Sequence, residues 1–200
     1  MAKKRNKKQK HKMGAAAPSA NNIAVQILPY LYLGPHSSTA PVSAVALGIT
    51  HIISVGARPH GGHASISYHR LSLADDPSAD ITKPALLAAE VIEAARQARP
   101  DAKILVHCVA GISRSPAIIA SYLVREAGMT LRQALAVLVR ARPNVRPNDG
   151  FVVQLKELEQ QIRGETSLEP NTLPVTMREK RVLLELDSEA EPEDLMKLAV

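Results

Sequence analysis

The sequence predicts an α/β fold, and three observations predict it. Short aliphatic or β-branched runs recur at residues 24–28, 30–34, 49–55, 67–73 and 103–107. Longer segments with helical apolar spacing lie between and after them. One run, 103–107, passes through a small-residue loop into residues 116–124, which read as a buried helix. Strands alternating with amphipathic helices imply helices packed on a sheet.

Taken in order, the chain opens on a basic segment. Seven of its lysines and arginines fall between Lys3 and Lys12, which leaves 18 positive against 19 negative charges over the rest. The net charge of +6 is therefore a property of the tail, not of the folded domain. Residues 1–22 bury no apolar surface and are expected to be disordered. Two readings stand for them. They serve nuclear import or contact with nucleic acid or acidic surfaces, or they are a solubilising arm. No aromatic residue is interleaved, which speaks against base stacking.

A domain is expected over 23–163. Pro29 separates the first two strands, and a helix through 42–47 ends at Gly48, a suitable C′ residue. Residues 58–65 form a loop whose His60 and His63 lack an evident third ligand for a metal. Thr82 is expected to cap a helix from Lys83 to Arg99 with a stripe of Leu87, Val91, Ala94 and Ala95 facing the sheet. Thr130 and Gln133 make a capping box for a helix to Ala141, and a last helix runs to about Arg163. Residues 164–200, polar and acidic with Pro170, Pro174 and Pro192, read as a tail.

The core must be aliphatic, because the chain has one Phe, four Tyr and no Trp. A lone cysteine, Cys108, excludes an internal disulfide framework and cysteine-type zinc sites, and suits a reducing compartment. No run is long and apolar enough to span a membrane, and the N-terminus has no apolar signal core.

The chemistry concentrates in His107-Cys108-Val109-Ala110-Gly111-Ile112-Ser113-Arg114-Ser115. A strand, a tight loop and a helix N-terminus make an anion site, because unpaired N–H groups and the positive end of the helix point into the loop. Such donors, with Arg114 beside them, favour the thiolate of Cys108, the nucleophilic form. Gly111 can take the positive φ that turns amides inward. Arg114 can bind two oxygens of one phosphate, and Ser115 can donate to sulfur when the thiolate leaves.

This pattern, His-Cys-x2-Gly-x2-Arg-Ser, resembles the signature of the cysteine-dependent protein tyrosine phosphatase superfamily, and in particular its dual-specificity branch. Two further blocks are similar. The segment Ile27-Leu28-Pro29-Tyr30-Leu31-Tyr32-Leu33-Gly34 looks like the entry of those domains. Arg142-Pro143, Pro147-Asn148-Asp149-Gly150-Phe151 and Gln154-Leu155 look like their close. The resemblance covers residues 23–163.

It implies a central mixed sheet of about five strands flanked by helices, and hydrolysis of phosphotyrosine and phosphoserine or phosphothreonine through a phosphocysteine. It implies Cys108 as nucleophile, and Arg114 with the amides of Val109, Ala110, Gly111, Ile112 and Ser113 as the phosphate cradle. Asp75 is implied as general acid, with Asp76 the runner-up, and Ser115 as a donor to sulfur. His107 and Asn148 are implied as supporting residues, with His107 poising the thiol by hydrogen bonding. No metal and no cofactor are implied. The expected partner is a phosphoprotein, with a mitogen-activated protein kinase as a candidate. Residues 180–186 weakly resemble peptides that dock on mitogen-activated protein kinases, with packing on the domain as the other reading. A monomer in cytoplasm, nucleus or both is expected.

Two rivals remain open at the level of sequence. RNA 5′-triphosphatases share the loop, and the basic tail keeps them in view. A phosphoprotein-capture module with little turnover is the other, although such relatives have usually lost the cysteine, the arginine or the acid. The uncharged loop interior argues against inositol lipids.

Overall fold

The computed structural model describes residues 22–186. The basic segment lies outside these residues except for Asn22, as does the chain beyond Leu186.

Five strands form one sheet: β1 (Val25–Leu28), β2 (Leu31–Gly34), β3 (His51–Val55), β4 (Ser67–Leu71) and β5 (Ile104–His107). Their order is β1-β2-β5-β3-β4, antiparallel between β1 and β2 and parallel elsewhere. The mixed sheet expected from the resemblance is present. The last strand in the chain occupies its centre, where all four residues are buried.

Alternation along the strands sorts two cores. Leu31, Leu33, Ile53, Val55, Ile104 and Val106 face a large cluster shared with the helices. Tyr32, Ile52 and Leu105 point the other way, into a small cluster with Ala44, Ile49 and Ile66. The large face is covered by α2 (Thr82–Ala98), α3 (Arg114–Arg125), α4 (Leu131–Ala141) and α5 (Asp149–Arg163). The small face is closed by α1 (Pro41–Ala46) and the segments beside it, and Gly48 takes a φ of +72° just after that helix. Helix α3 is buried at every residue from Ser115 to Val124, so it is the hub between sheet and outer helices. The Thr130–Gln133 capping box is formed in full.

Three expectations need correction. Thr82 is the first residue of α2 rather than its cap; its N–H donates to Asp80 Oδ1 at 2.8 Å, so the carboxylate two residues earlier does the capping. The face of α2 on the sheet is Ala85, Ala88, Ala89, Ile92 and Ala95, while Leu87 and Ala94 are exposed. Close packing of α2 on its neighbours admits alanines better than leucines, and bulk alone misplaced the stripe.

The third correction concerns residues 164–200. Their first part is no tail. Leu168, Leu173 and Leu184 are buried in the main core, and α6 (Met177–Leu184) packs on the domain. The Lys180 ammonium is buried and donates to the carbonyls of Pro143 (2.9 Å) and Val145 (2.8 Å). Of the two readings for residues 180–186, this placement supports packing and gives a docking peptide no free lysine at 180.

Candidate active site

The loop after β5 runs from Cys108 to Ser113 and enters α3 at Arg114. Four successive carbonyls in it are held from outside. Val109 O accepts from His36 N (3.0 Å), Ala110 O from Arg142 Nη2 (2.9 Å), Gly111 O from Arg142 Nε (3.0 Å) and Ile112 O from Arg146 N (2.8 Å). Across a trans peptide the C=O and the next N–H point in opposite directions. Tying these carbonyls outward therefore aims the N–H groups of Ala110, Gly111, Ile112 and Ser113 inward. The concavity is an anion cradle built by its surroundings.

Gly111 has a φ of +66°, and a Cβ there would stand 2.8 Å from the backbone of Gly34. Conformation and close approach both require glycine.

Cys108 lies at the floor, 2% exposed. Its Sγ receives the Gly111 N–H at 3.3 Å and the Ser115 hydroxyl at 3.2 Å. Arg114 Nη1 donates to Gly56 O at 2.8 Å, which fixes the guanidinium over the loop. Its Nε makes no hydrogen bond, and Asp75 Oδ2 stands 3.7 Å away as an ionic neighbour. A buried guanidinium nitrogen without a hydrogen bond, at the end of the amide-lined loop, is a donor that a bound oxyanion would satisfy.

Asp75 and Asp76 part company in space. Asp75 Oδ1 accepts from Ser113 Oγ (2.6 Å) and Asn148 Nδ2 (3.0 Å), which leaves Oδ2 toward Arg114. Asp76 instead accepts from the N–H and hydroxyl of Ser78, and these bonds hold its carboxyl below the ordinary range. Only Asp75 joins the cleft.

The loop carrying Asp75 is seated on the N-terminus of α5: a Cβ on Gly150 would fall inside the Pro77 carbonyl. Gln154 clamps its exit by accepting from Ile81 N and donating to Ala79 O, both at 2.9 Å. Asn148 caps α5 through Phe151 N while its amide holds Asp75.

His107 departs from the expectation. It does not bond the thiol. Its Nδ1 lies 3.1 Å from the Cys108 carbonyl, so that nitrogen carries the proton, and Nε2 accepts from Ser54 Oγ at 2.8 Å. The ring fixes the backbone of Cys108 instead. Burial, with smaller contributions from His36 and His60, pushes its pKa down to about 4, against a partial offset from the carbonyl bond. The imidazole is neutral at pH 7.

The sign of the linkage follows. The unfolded chain takes up a proton near 6.5 that the folded ring refuses until about 4, so stability is intact above 6.5 and lost as pH falls across that window. The loss is roughly 3 kcal/mol at most. The melting temperature of the wild type is expected to fall more steeply from pH 6.5 to 4 than that of His107→Gln. Parallel slopes would assign the acid sensitivity to other groups.

Four contributors escaped the sequence reading. Ser54, His36 and the backbone of Arg146 act by contacts between distant segments, and no local pattern marks them. Arg142 belongs to the quoted Arg-Pro block, but nothing in that block says that its guanidinium holds the loop. At the rim, the His60 ring lies against His36 with centroids 3.9 Å apart and planes tilted by 32°, and its Nδ1 lies 3.0 Å from Thr39 Oγ1. His63 bonds Ser65 instead.

Known proteins are similar to this chain in sequence and in fold. The family model described as "Dual specificity phosphatase, catalytic domain" matches residues 31–161. Human dual specificity protein phosphatase 5 is 36% identical over 152 residues, which are 75% of this chain and 38% of that protein. Human serine/threonine/tyrosine-interacting protein is 36% identical over 143 residues, 67% of this chain and 63% of the relative. The chain thus spans less than two thirds of the length of these curated relatives. The crystal structure of the latter, titled tyrosine phosphatase-like, superposes with a TM-score of 0.64 over 70% of this chain and 98% of that one, at 36% identity. Human DUSP28 superposes with a TM-score of 0.65, at 28% identity over 75% of this chain and 99% of that one. On the match over residues 31–161, the chain belongs to the dual specificity phosphatase catalytic-domain family.

Proposed function

We propose that this domain is a protein phosphatase that hydrolyses phosphotyrosine and phosphoserine or phosphothreonine through a phosphocysteine. One observation carries the reading. The sulfur of Cys108 receives two donors at the floor of an amide-lined cradle, and the buried Arg114 Nε beside it has no hydrogen-bond partner.

In this scheme the Cys108 thiolate attacks phosphorus in line, forming the S–P bond as the P–O bond to the substrate side chain breaks. The amides and Arg114 hold the equatorial oxygens, where charge matters most in the transition state. Asp75 gives a proton to the leaving oxygen. It then takes one from the water that cleaves S–P, releasing phosphate and thiolate. Ser115 stabilises the departing sulfur. The scheme uses no metal.

The rim supports a shallow cleft. Val109 is 58% exposed beside the short turn at His36–Thr39. A shallow entry admits short phosphoserine and phosphothreonine side chains as well as phosphotyrosine. The partner proposed is a phosphoprotein, reached without a mitogen-activated protein kinase docking helix at residues 180–186. A nuclear or cytoplasmic setting is likewise proposed, from the basic segment alone, and is tested by localising the chain with and without residues 3–12.

The capture module is the second reading, favoured by 36% identity to a protein titled phosphatase-like. Turnover separates the two. Matched phosphotyrosine and phosphothreonine peptides, an RNA 5′-triphosphate and an aryl phosphate are offered under reducing, metal-free conditions to the wild type and to Asp75→Asn. Hydrolysis of both peptides is expected, with kcat on the peptides falling ~100-fold in Asp75→Asn and much less on an activated aryl phosphate. Binding of the peptides without hydrolysis establishes the capture module, and preference for the RNA end establishes the triphosphatase. An equal loss on activated and unactivated esters removes Asp75 from the role of acid.

A further inference from the structure

The segment after Arg163 lies beyond the residues matched by the family model, which end at 161, yet it is fastened to the part of the fold that shapes the cradle. Its near end is held by Glu159, a buried carboxylate on α5 that accepts from Ser167 N at 2.8 Å. Arg132 of α4 adds bonds from its N–H and Nε to Ser167 Oγ and O at 3.0 and 2.9 Å. Its far end is held by Arg140 Nη2 on Leu186 O at 3.1 Å and by the Arg132–Glu185 ion pair. Between these anchors the strap crosses the turn at residues 142–146.

That turn supplies three of the four outside donors to the loop carbonyls, two from Arg142 Nη2 and Nε and one from the N–H of Arg146. The strap grips it twice. Lys180 Nζ donates to Pro143 O and Val145 O, and Leu173 O accepts from Arg146 Nε at 2.9 Å.

A lysine here is a costly choice for packing alone. Its side chain is almost completely buried, 2% exposed, and among the described residues no carboxylate pairs with it. An ammonium removed from water, bonded to neutral carbonyls and close to the Arg146 guanidinium, is disfavoured there relative to a methionine of similar length. What methionine cannot do is donate to two carbonyls of one turn at once.

We propose that Lys180 is a positioning residue for the active site: through the 142–146 turn it holds the Ala110, Gly111 and Ile112 carbonyls outward, so oxyanion affinity at Cys108 depends on the C-terminal strap. The kinetic consequence rests on the phosphatase reading, while the binding consequence stands without it.

The test uses the full chain and tungstate as a phosphate-shaped probe, titrated calorimetrically beside melting temperatures. Lys180→Met is expected to weaken tungstate binding about 10-fold and to lower kcat/KM on an aryl phosphate by a similar factor. Lys180→Arg keeps a donor and recovers most of both. Val182→Ala, on the exposed face of α6, changes neither. If Lys180→Met does not fold, Lys180→Gln, with one amide to donate, is expected to show an intermediate affinity. Tungstate affinity within twofold of wild type in the folded Met or Gln variant, whatever the melting temperature, reduces Lys180 to packing and overturns the proposal. A wild type that binds tungstate but hydrolyses nothing sinks the catalytic reading alone, and the binding series then decides the strap. A wild type that binds no oxyanion overturns both.

Discussion

Replacing Cys108 by serine is expected to lower turnover by at least ~10⁴-fold while leaving phosphopeptide bound. The donors at the floor of the cradle, Gly111 N–H and Ser115 O–H, are placed to hold a sulfur anion. A serine hydroxyl in the same place stays neutral at pH 7 and is a poor nucleophile toward phosphorus. Binding relies on other groups, namely the inward amides and Arg114, and these are untouched by the exchange. Peptide titration beside a single-turnover assay separates the two effects. Residual turnover within 100-fold of wild type would falsify covalent catalysis by this residue and redirect attention to attack by water.

The second large effect is expected at Arg114. Arg114→Lys keeps the charge and removes the fork, so a loss of ~10³-fold in kcat/KM is expected, most of it in kcat. The reason lies in how the guanidinium is fixed. Nη1 is spent on Gly56 O, an anchor with a φ of +59° where a Cβ would collide with both Arg114 and the Leu73 carbonyl. With one arm anchored, the plane of the fork is set, and Nε stays available at the cradle. An ammonium on a flexible stem reaches the same region as a point charge, without two donors in one plane. Charge that grows on the equatorial oxygens then meets one fixed partner fewer in the transition state than in the wild type. A loss confined to KM would mean that Arg114 binds the ground state and the transition state equally.

These two residues and Asp75 differ in how openly the chain declares them. Cys108, Gly111, Arg114 and Ser115 sit within eight positions, and each offset has a local reason: a strand end, a tight turn, a helix start. Asp75 is implied only by resemblance to a family pattern, with Asp76 as runner-up. Only the tertiary contacts separate the neighbours, by giving Ser113 and Asn148 to one and Ser78 to the other. His107 shows the limit of a motif. Its position beside the cysteine is legible, but its partner Ser54 lies on another strand, and its bond to the Cys108 backbone is set by the tertiary packing. The stripe of α2 failed for a related reason: four alanines and one isoleucine define its inner face, and alanine carries little periodic signal.

The five strands and α1 to α5 in their order, the aliphatic character of the core and the anion-binding loop between β5 and α3 are legible in the chain alone, whereas α6 is not. Those properties depend on side-chain size, backbone preference and spacing over a few residues, all of which a linear chain displays. Which groups hold that loop open follows from the packing of distant segments. His36, Arg142 and Arg146 come to the loop carbonyls from both sides of it in the chain, and Lys180 and Leu173 reach the turn that carries two of them. Such contacts join residues far apart in sequence by burying polar groups that must each find a partner. Which partner satisfies which carbonyl is settled only when the chain has closed on itself.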